Sequence, residues 1–505
     1  MRALRAPVQG LRSRIVDGWR WRHNAGDKDG SRMMTMRTYA AALVLLAAAA
    51  CVSSTTANPR RPNVVIVLAD DMGYGDPRCF NAKSRIATPN IDRLAHEGMR
   101  FVDAHSPGAW CVPSRYGLLT GTYPFRVGRF HGGRESVLGA DQVTLASFLR
   151  EQGYATAMVG KWHLGLDGGP MTDGADLHGG PLDHGFERFF GIHASLDIPP
   201  YYYIDGRTPV APPTEKVASS NSAGWTKIQG AFWREGAIAP GFVHAEVLPK
   251  FVDEAVSFLA ERDGEEQPFF LYVALAAPHT PWLPESSGRS GADMYGDFTE
   301  QVDDEVGRIL AALDSNGHRD NTLVVFTSDN GPVWYPQDVE RLGHASVGDL
   351  RGMKSDSYEG GHRMPFVVRW PQVVAARTTT NQTICFTDML ATMADITGVW
   401  LPEGAGGDGH SLMPVLRDPA ASTSREHTVL KADASVVRVG NWKLITHLGS
   451  GGFSPPRRRK PVADGPRGQL YDLAADPGEA NNLWLQRPDV VAQLTEVLAA
   501  ERRKQ

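Results

Sequence analysis

Asn63-Val64-Val65-Ile66-Val67-Leu68-Ala69-Asp70-Asp71-Met72-Gly73-Tyr74-Gly75-Asp76 is the stretch that decides the fold. Residues 63–68 read as one continuous, mostly β-branched run. An unbroken run of this kind suits a strand covered on both faces, as in a parallel sheet, whereas a half-exposed strand alternates. Two adjacent carboxylates follow at once. Without a cation, neighbouring acids after a buried strand repel each other, and hard oxygen ligands suit Ca²⁺ or Mg²⁺. An acidic turn in water fits the same residues.

The pattern recurs three times. A strand over 154–159 delivers Gly160-Lys161-Trp162-His163-Leu164-Gly165. One over 269–276 delivers Ala277-Pro278-His279-Thr280-Pro281-Trp282, and one over 322–327 delivers Ser328-Asp329-Asn330-Gly331. Lys161 and His163, two apart, share a face if the chain stays extended. His279 sits between prolines on a rigid, non-helical loop. Each motif alone has a plain reading: a solvated lysine or histidine, a turn histidine bonded to backbone, an Asp-Asn-Gly turn. Taken together, four buried strands end in chemically capable residues, and open parallel α/β sheets build their sites beyond the carboxyl ends of strands.

Helical patterns over 88–97, 144–152, 245–262 and 299–313 alternate with further strands over 100–104 and 365–370. Residues 165–241 break the pattern, rich in Gly, Pro, Ser and Asn, with Tyr201-Tyr202-Tyr203, Trp225 and Trp233 among them. They read as a substrate-facing loop system whose aromatics chiefly pin the loops down. Past residue 376 the chain changes character. A helix over 386–397 precedes a hairpin over 436–445 turning at Gly440-Asn441, a short strand over 468–473 and a terminal helix over 489–504. The basic run Arg457-Arg458-Arg459-Lys460 reads first as a solvated face and second as a polyanion contact. The expected fold is α/β: a large mixed, mostly parallel sheet with helices on both faces, plus a smaller C-terminal α+β domain with an antiparallel sheet. The expected division is 1–57 leader and export signal, 58–376 catalytic domain and 377–505 C-terminal subdomain.

The chain has 505 residues and a formal net charge of −5, which excludes a nucleic-acid-coating protein and leaves any anion site to be built locally. Four cysteines, at 51, 79, 111 and 385, are too few for a disulfide scaffold. Whether Cys79 and Cys385 pair is open. The basic leader gives way to an apolar run over 39–50, too short to span a bilayer, which reads as a secretory signal starting at Met34 or Met36. Cleavage near Ala57 or lipid anchoring at Cys51 both lead to a periplasmic or extracellular protein. No later stretch reads as a transmembrane helix.

Cys111-Val112-Pro113-Ser114-Arg115 runs on through Tyr116-Gly117-Leu118-Leu119 to Thr120-Gly121. Pro113 suits the first turn of a helix and Gly121 its end. Cys111 at the helix N-terminus faces unpaired N–H groups that favour an anion, and Arg115 offers a planar fork near the same face. A buried apolar cysteine is the plain alternative.

The string Cys-x-Pro-Ser-Arg followed by Leu-Thr-Gly resembles the signature of type I sulfatases of the alkaline phosphatase superfamily. So do Gly-Lys-Trp-His-Leu-Gly at 160–165, the Pro-His-x-Pro context of His279, and Leu350-Arg351-Gly352-Met353-Lys354. Gly191-Ile192-His193-Ala194-Ser195 resembles a sulfate-contacting segment. The resemblance implies that Cys111 is oxidised by a formylglycine-generating maturation enzyme to 3-oxoalanine, whose hydrate is the nucleophile. It implies Ca²⁺, or Mg²⁺, on Asp70, Asp71, Asp329, Asn330 and the modified Cys111. It further implies Arg115 and Lys161 steadying charge, Lys354 and Ser195 binding sulfate, His279 or Lys354 protonating the departing alcohol, and His163 as the base that releases sulfate. The implied function is an exported sulfatase of sulfated poly- or oligosaccharides. The alternatives are a phosphomonoester or phosphonate monoester hydrolase and a non-catalytic glycan-binding protein. Related phosphatases use a second metal. Here Arg115, Lys161 and Lys354 supply the corresponding charge, which favours one metal and sulfate.

Overall fold

In the computed structural model, β1 (Asn63–Ala69) is a central strand and every one of its residues is buried. Residues 60–128, 130, 135–170 and 176–504 are described; the leader, the apolar run and Cys51 lie outside them. The chain continues through β2 (Met99–His105), β3 (Ala155–Lys161) and β4 (Arg188–Ile192). The short strands β5 (Ile204–Asp205), β6 (Thr208–Pro209), β7 (Glu215–Val217) and β8 (Gly236–Ile238) follow. Next come β9 (Phe269–Ala274), β10 (Thr322–Ser328), β11 (Arg363–Arg369), β12 (Thr378–Thr380) and β13 (Ile384–Cys385).

The large sheet runs β12-β2-β11-β10-β1-β9-β3-β4-β5-β6, with β13 also on β2. β1 lies parallel between β10 and β9, with Ile66 in register with Val325 and Tyr272. β3 is parallel to both β9 and β4. The five strands β10, β1, β9, β3 and β4 therefore point the same way. Their C-terminal ends form one edge of the sheet, and the sequence-predicted residues stand on it. β4 is a strand that the pattern of residues 165–241 hides. It is five residues long and bounded by turn-forming segments, yet it carries the rule to a fifth strand end by delivering His193 and Ser195.

The helices follow from apolar stripes. Val247–Glu261 buries Val247, Leu248, Phe251, Val252, Ala255, Phe258 and Leu259, spaced for one face. It packs on Asp293–Ser315, which also meets Pro89–Glu97. On Cys111–Thr120 every residue is buried, and this helix packs on Asp388–Thr397. Thr144 caps Leu145–Glu151 by accepting from Ser147 N–H, so the expected start is kept.

Past residue 376 the chain first returns to the large sheet through β12 and β13. Only then does it build a second sheet, β14 (Thr428–Leu430), β15 (Val436–Val439), β16 (Trp442–Ile445) and β17 (Gln469–Asp472), antiparallel throughout. The hairpin turns at Gly440-Asn441, with Gly440 at φ +54°. Helix Pro488–Arg503 covers this sheet through Val490, Leu494 and Leu498. Residues 61–505 form one compact unit. Buried ion pairs tie the second sheet to the first and to the short helix Glu359–His362 before β11: Arg438 to Asp103 of β2 at 2.5 Å and Lys443 to Glu359 at 2.9 Å. Cys79, Cys111 and Cys385 are free thiols. Among the described residues, no helix is long and apolar enough to cross a membrane.

Candidate active site

Cys111 opens its helix at the edge where the parallel strands end. Its Sγ lies 3.5 Å from Asp70 Oδ1 and 3.4 Å from Lys354 Nζ. Burial pushes the thiol pKa up, as does Asp329, and Lys161 and Lys354 only partly oppose this. These surroundings disfavour the thiolate, the nucleophilic form of a cysteine.

Asp70 and Asp71 leave β1 on a bend. Asp71 has φ +64°, a left-handed conformation that short polar side chains tolerate. Its N–H donates to Asp329 Oδ1 at 3.2 Å, and Met72 N–H donates to Ser328 Oγ at 2.9 Å, so the ends of β1 and β10 are pinned together. Burial alone would raise the pKa of Asp70. Lys161, at 2.5 Å, with His279, Arg115 and Lys354, instead holds it well below the usual carboxylate range. Burial and the Asp70 charge push Asp329 up to about 6.

Asn330 donates its Nδ2 to Asp71 Oδ1 at 2.6 Å, and its Oδ1 is buried without a partner. Lys354 Nζ also donates to Asp71 Oδ1, at 2.6 Å. Lys161 Nζ donates to Ser195 Oγ at 3.1 Å, and Ser195 Oγ is 3.2 Å from His279 Nε2. His279 Nε2 lies 3.7 Å from Asp71 Oδ2. His163 does not follow an extended path from Lys161: its φ is +55° and its N–H bonds the His193 carbonyl. It still reaches the site. Its buried Nδ1 has no partner, and burial, with Lys161 and Arg115 nearby, holds the imidazole neutral, well below its ordinary pKa.

One expectation changes. Arg115 does not offer a free fork to an oxyanion. It is fully buried, with Nε and Nη2 on Asp329 Oδ2 at 3.1 and 2.8 Å and Nη1 on the Lys161 carbonyl at 2.9 Å. Its guanidinium braces β3 and β10 against each other, which leaves Lys161 and Lys354 as the cations beside the sulfur and Ser195. The other ten residues singled out by sequence stand in the same buried cluster.

The oxygen donors suit a hard cation. Carboxylate oxygens of Asp70 and Asp71 lie within 4.8 Å of each other, of the Cys111 sulfur and of a His279 ring nitrogen, and Asn330, bonded to Asp71 through its amide nitrogen, keeps its Oδ1 orphaned. A brace not signalled by the sequence stands behind them. Asp76 accepts from Gly73 N–H at 2.6 Å and from the Tyr295 hydroxyl at 2.5 Å, and lies 2.8 Å from His344 Nε2. Tyr295 and His344 are more than 200 residues away, so no local pattern marks them.

The sulfatase family model matches residues 62–399. An N-acetylgalactosamine-6-O-sulfatase from Bacteroides thetaiotaomicron is 35% identical over 487 residues, covering 87% of this chain and 93% of that protein. Human arylsulfatase A is 33% identical over 443 residues, covering 84% and 83%. A solved sulfatase from the glycosaminoglycan metabolism of Bacteroides thetaiotaomicron superposes with a TM-score of 0.76 at 31% identity, covering 88% of this chain and 100% of that one.

Proposed function

The chain belongs to the sulfatase family and is a sulfuric ester hydrolase, and from that premise we propose that it is an exported enzyme acting on sulfated poly- or oligosaccharides. The carrying observation is that Lys354 touches both Asp71 and the Cys111 sulfur, so a residue on the catalytic helix and a carboxylate at the end of β1 share one cation-lined chamber.

Matured to formylglycine, position 111 would supply an oxygen nucleophile, and Ca²⁺ or Mg²⁺ held by Asp70, Asp71, Asp329 and Asn330 would supply Lewis-acid charge. The chamber's own charge supports this. Asp70, Asp71 and Asp329 contribute three negative charges, and Arg115, Lys161 and Lys354 three positive ones. A divalent cation therefore leaves an excess of two positive charges, which suits an anionic ester. Lys161 and Lys354 hold the sulfate oxygens, and Ser195 Oγ, between Lys161 and His279, orients one of them. His279, 3.2 Å from Ser195 Oγ, would give a proton to the leaving oxygen. His163, whose buried Nδ1 has no partner, would take one when sulfate departs. Replacing a second metal by lysines is what favours sulfate over a phosphate or phosphonate monoester.

Mass spectrometry of the Cys111 peptide reads maturation directly, as conversion of the thiol to the aldehyde. Turnover of a sulfated oligosaccharide, an aryl sulfate and an aryl phosphate by the matured chain then separates the readings. A clear preference for the phosphate ester would overturn this one.

A further inference from the structure

We propose that a cavity of about 370 Å³ beside the turn that carries Lys354 is an accessory anion site, taking a second sulfate or carboxylate of the same glycan chain. The proposal rests on the glycan reading of the active site and extends it to a second position on the substrate.

Arg351 and Tyr358 line the cavity from the turn. Arg459 and Lys460 line it from the segment between β16 and β17, and Gln469 and Tyr471 from β17 itself. Three cations thus surround one cavity in a chain of net charge −5, and no carboxylate is among its lining residues. Among the described residues, none of the three cations forms a salt bridge, although Arg458 beside them reaches Asp433 at 3.9 Å. Converging like charges repel, and an anion between them relieves that cost.

The floor is built before any ligand arrives. Arg351 stacks over the Tyr358 ring at 4.0 Å and donates to the Glu479 carbonyl at 2.6 Å. The Tyr358 and Tyr471 hydroxyls both donate to Gln469 Oε1, at 2.9 and 2.7 Å, and Gln469 Nε2 donates to the His447 and Gly449 carbonyls at 2.9 Å. Arg459 is fixed through its own N–H to the Leu448 carbonyl at 3.1 Å. A guanidinium fork matches the oxygens of sulfate or carboxylate, and the tyrosines give a sugar ring an apolar face with polar edges.

The cavity is tied to Lys354 by covalent geometry, and through the Lys354 contact to the Cys111 sulfur at 3.4 Å. Arg351 and Lys354 are three residues apart, so their Cα atoms are separated by at most about 11 Å. Ser357 N–H donates to the Ser450 carbonyl at 2.7 Å, which clamps the β16–β17 segment onto the same turn. One turn therefore presents Lys354 to Cys111 and Arg351 and Tyr358 to the cavity. The basic run divides accordingly: Arg457 lies over Phe453 and Arg458 near Asp433, whereas Arg459 and Lys460 face the cavity.

The test is the double variant Arg459→Ala/Lys460→Ala. Both side chains are exposed, and an unchanged melting temperature verifies the fold. The probes are a multiply sulfated glycosaminoglycan tetrasaccharide and a small aryl sulfate, with the matured full chain. The expected result is a KM for the tetrasaccharide raised about five- to tenfold, with its kcat and both aryl sulfate constants unchanged. Calorimetric binding of the tetrasaccharide to the unmatured chain should weaken by the same factor. Unchanged KM and binding, or an equal loss on the aryl sulfate, overturns the site. Glycan turnover that ignores both residues removes the accessory site and leaves the sulfatase reading standing. Binding that depends on Arg459 and Lys460 in a matured chain that hydrolyses no sulfate ester does the reverse.

Discussion

Asn330 donates its amide to Asp71 over 2.6 Å and leaves its own Oδ1 buried with no partner. A cation on Asp71 reverses that preference, because the amide oxygen then has the better partner. Calcium should therefore raise the melting temperature of the chain, matured or not. At a hundredfold excess over its Kd it should add about 2.7 kcal/mol, and a chelator should remove the gain. Asn330→Ala should weaken calcium binding about tenfold by calorimetry. Identical melts with calcium and with chelator would sink the metal assignment.

Cys111→Ala removes an atom whose polar contacts are 3.4 and 3.5 Å long, so the fold should survive. Sulfate ester turnover should fall on the order of 10⁴-fold or more. Steady-state kinetics with near-UV circular dichroism checks both halves. Retained turnover removes Cys111 from the nucleophile role.

Arg115 uses two N–H groups on Asp329 and a third on the Lys161 carbonyl, inside a fully buried setting. A lysine keeps the charge but not the fork. Arg115→Lys should cost about 2–3 kcal/mol in reversible denaturation and should lower kcat by loosening Lys161. A neutral result would mean that the brace between β3 and β10 does not depend on the guanidinium shape.

Gly160 has φ +114°, and a Cβ there would fall 1.9 Å from the Ala274 carbonyl oxygen. β3 and β9 can close up beside Lys161 only because that position has no side chain. Gly160→Ala should cost about 3 kcal/mol or more and displace Lys161, with activity lost along with stability. Denaturant midpoint and kinetics together test it; wild-type values for both would contradict the close approach.

His105 and His362 lie in the ionic joint between the sheets, 3.0 Å apart through their Nδ1 atoms, amid Asp103, Glu359, Arg438 and Lys443. Burial lowers both pKa values, and for His362 Lys443 lowers it further. The folded state therefore binds fewer protons than the unfolded chain below the ordinary histidine pKa of about 6.5. These two groups contribute stability above that pH and lose it as the pH falls, with a limit of about 1.4 kcal/mol per pH unit for each proton. Urea midpoints between pH 7.5 and 5 should decline less steeply in His362→Gln than in the wild type. Equal slopes would mean that the histidine titrates freely in the folded protein.

The architecture was largely legible because β1, β3, β9 and β10 are buried on both faces, and a strand in that position needs an unbroken apolar run. β4 was not legible. Its five residues are too few to stand out from the Gly- and Pro-rich segments on either side, and its partner β3 identifies it only in space. The return of β12 and β13 to the large sheet was hidden for the same reason. Those strands are two or three residues long and are held by pairing with β2 rather than by any pattern of their own.

By itself the sequence determined which residue types stand at the strand ends and at the helix start, because burial period, turn residues and local motifs are encoded within a few positions. Tertiary structure alone decided how those groups share their charge. It locked Arg115 onto Asp329, set Lys354 between Asp71 and Cys111, left Asn330 Oδ1 without a partner, and gathered Arg351, Arg459 and Lys460 around one cavity. Such pairings join positions up to 283 residues apart, as Asp71 and Lys354 are, and are set by which strands become neighbours, a choice no local stretch of chain contains.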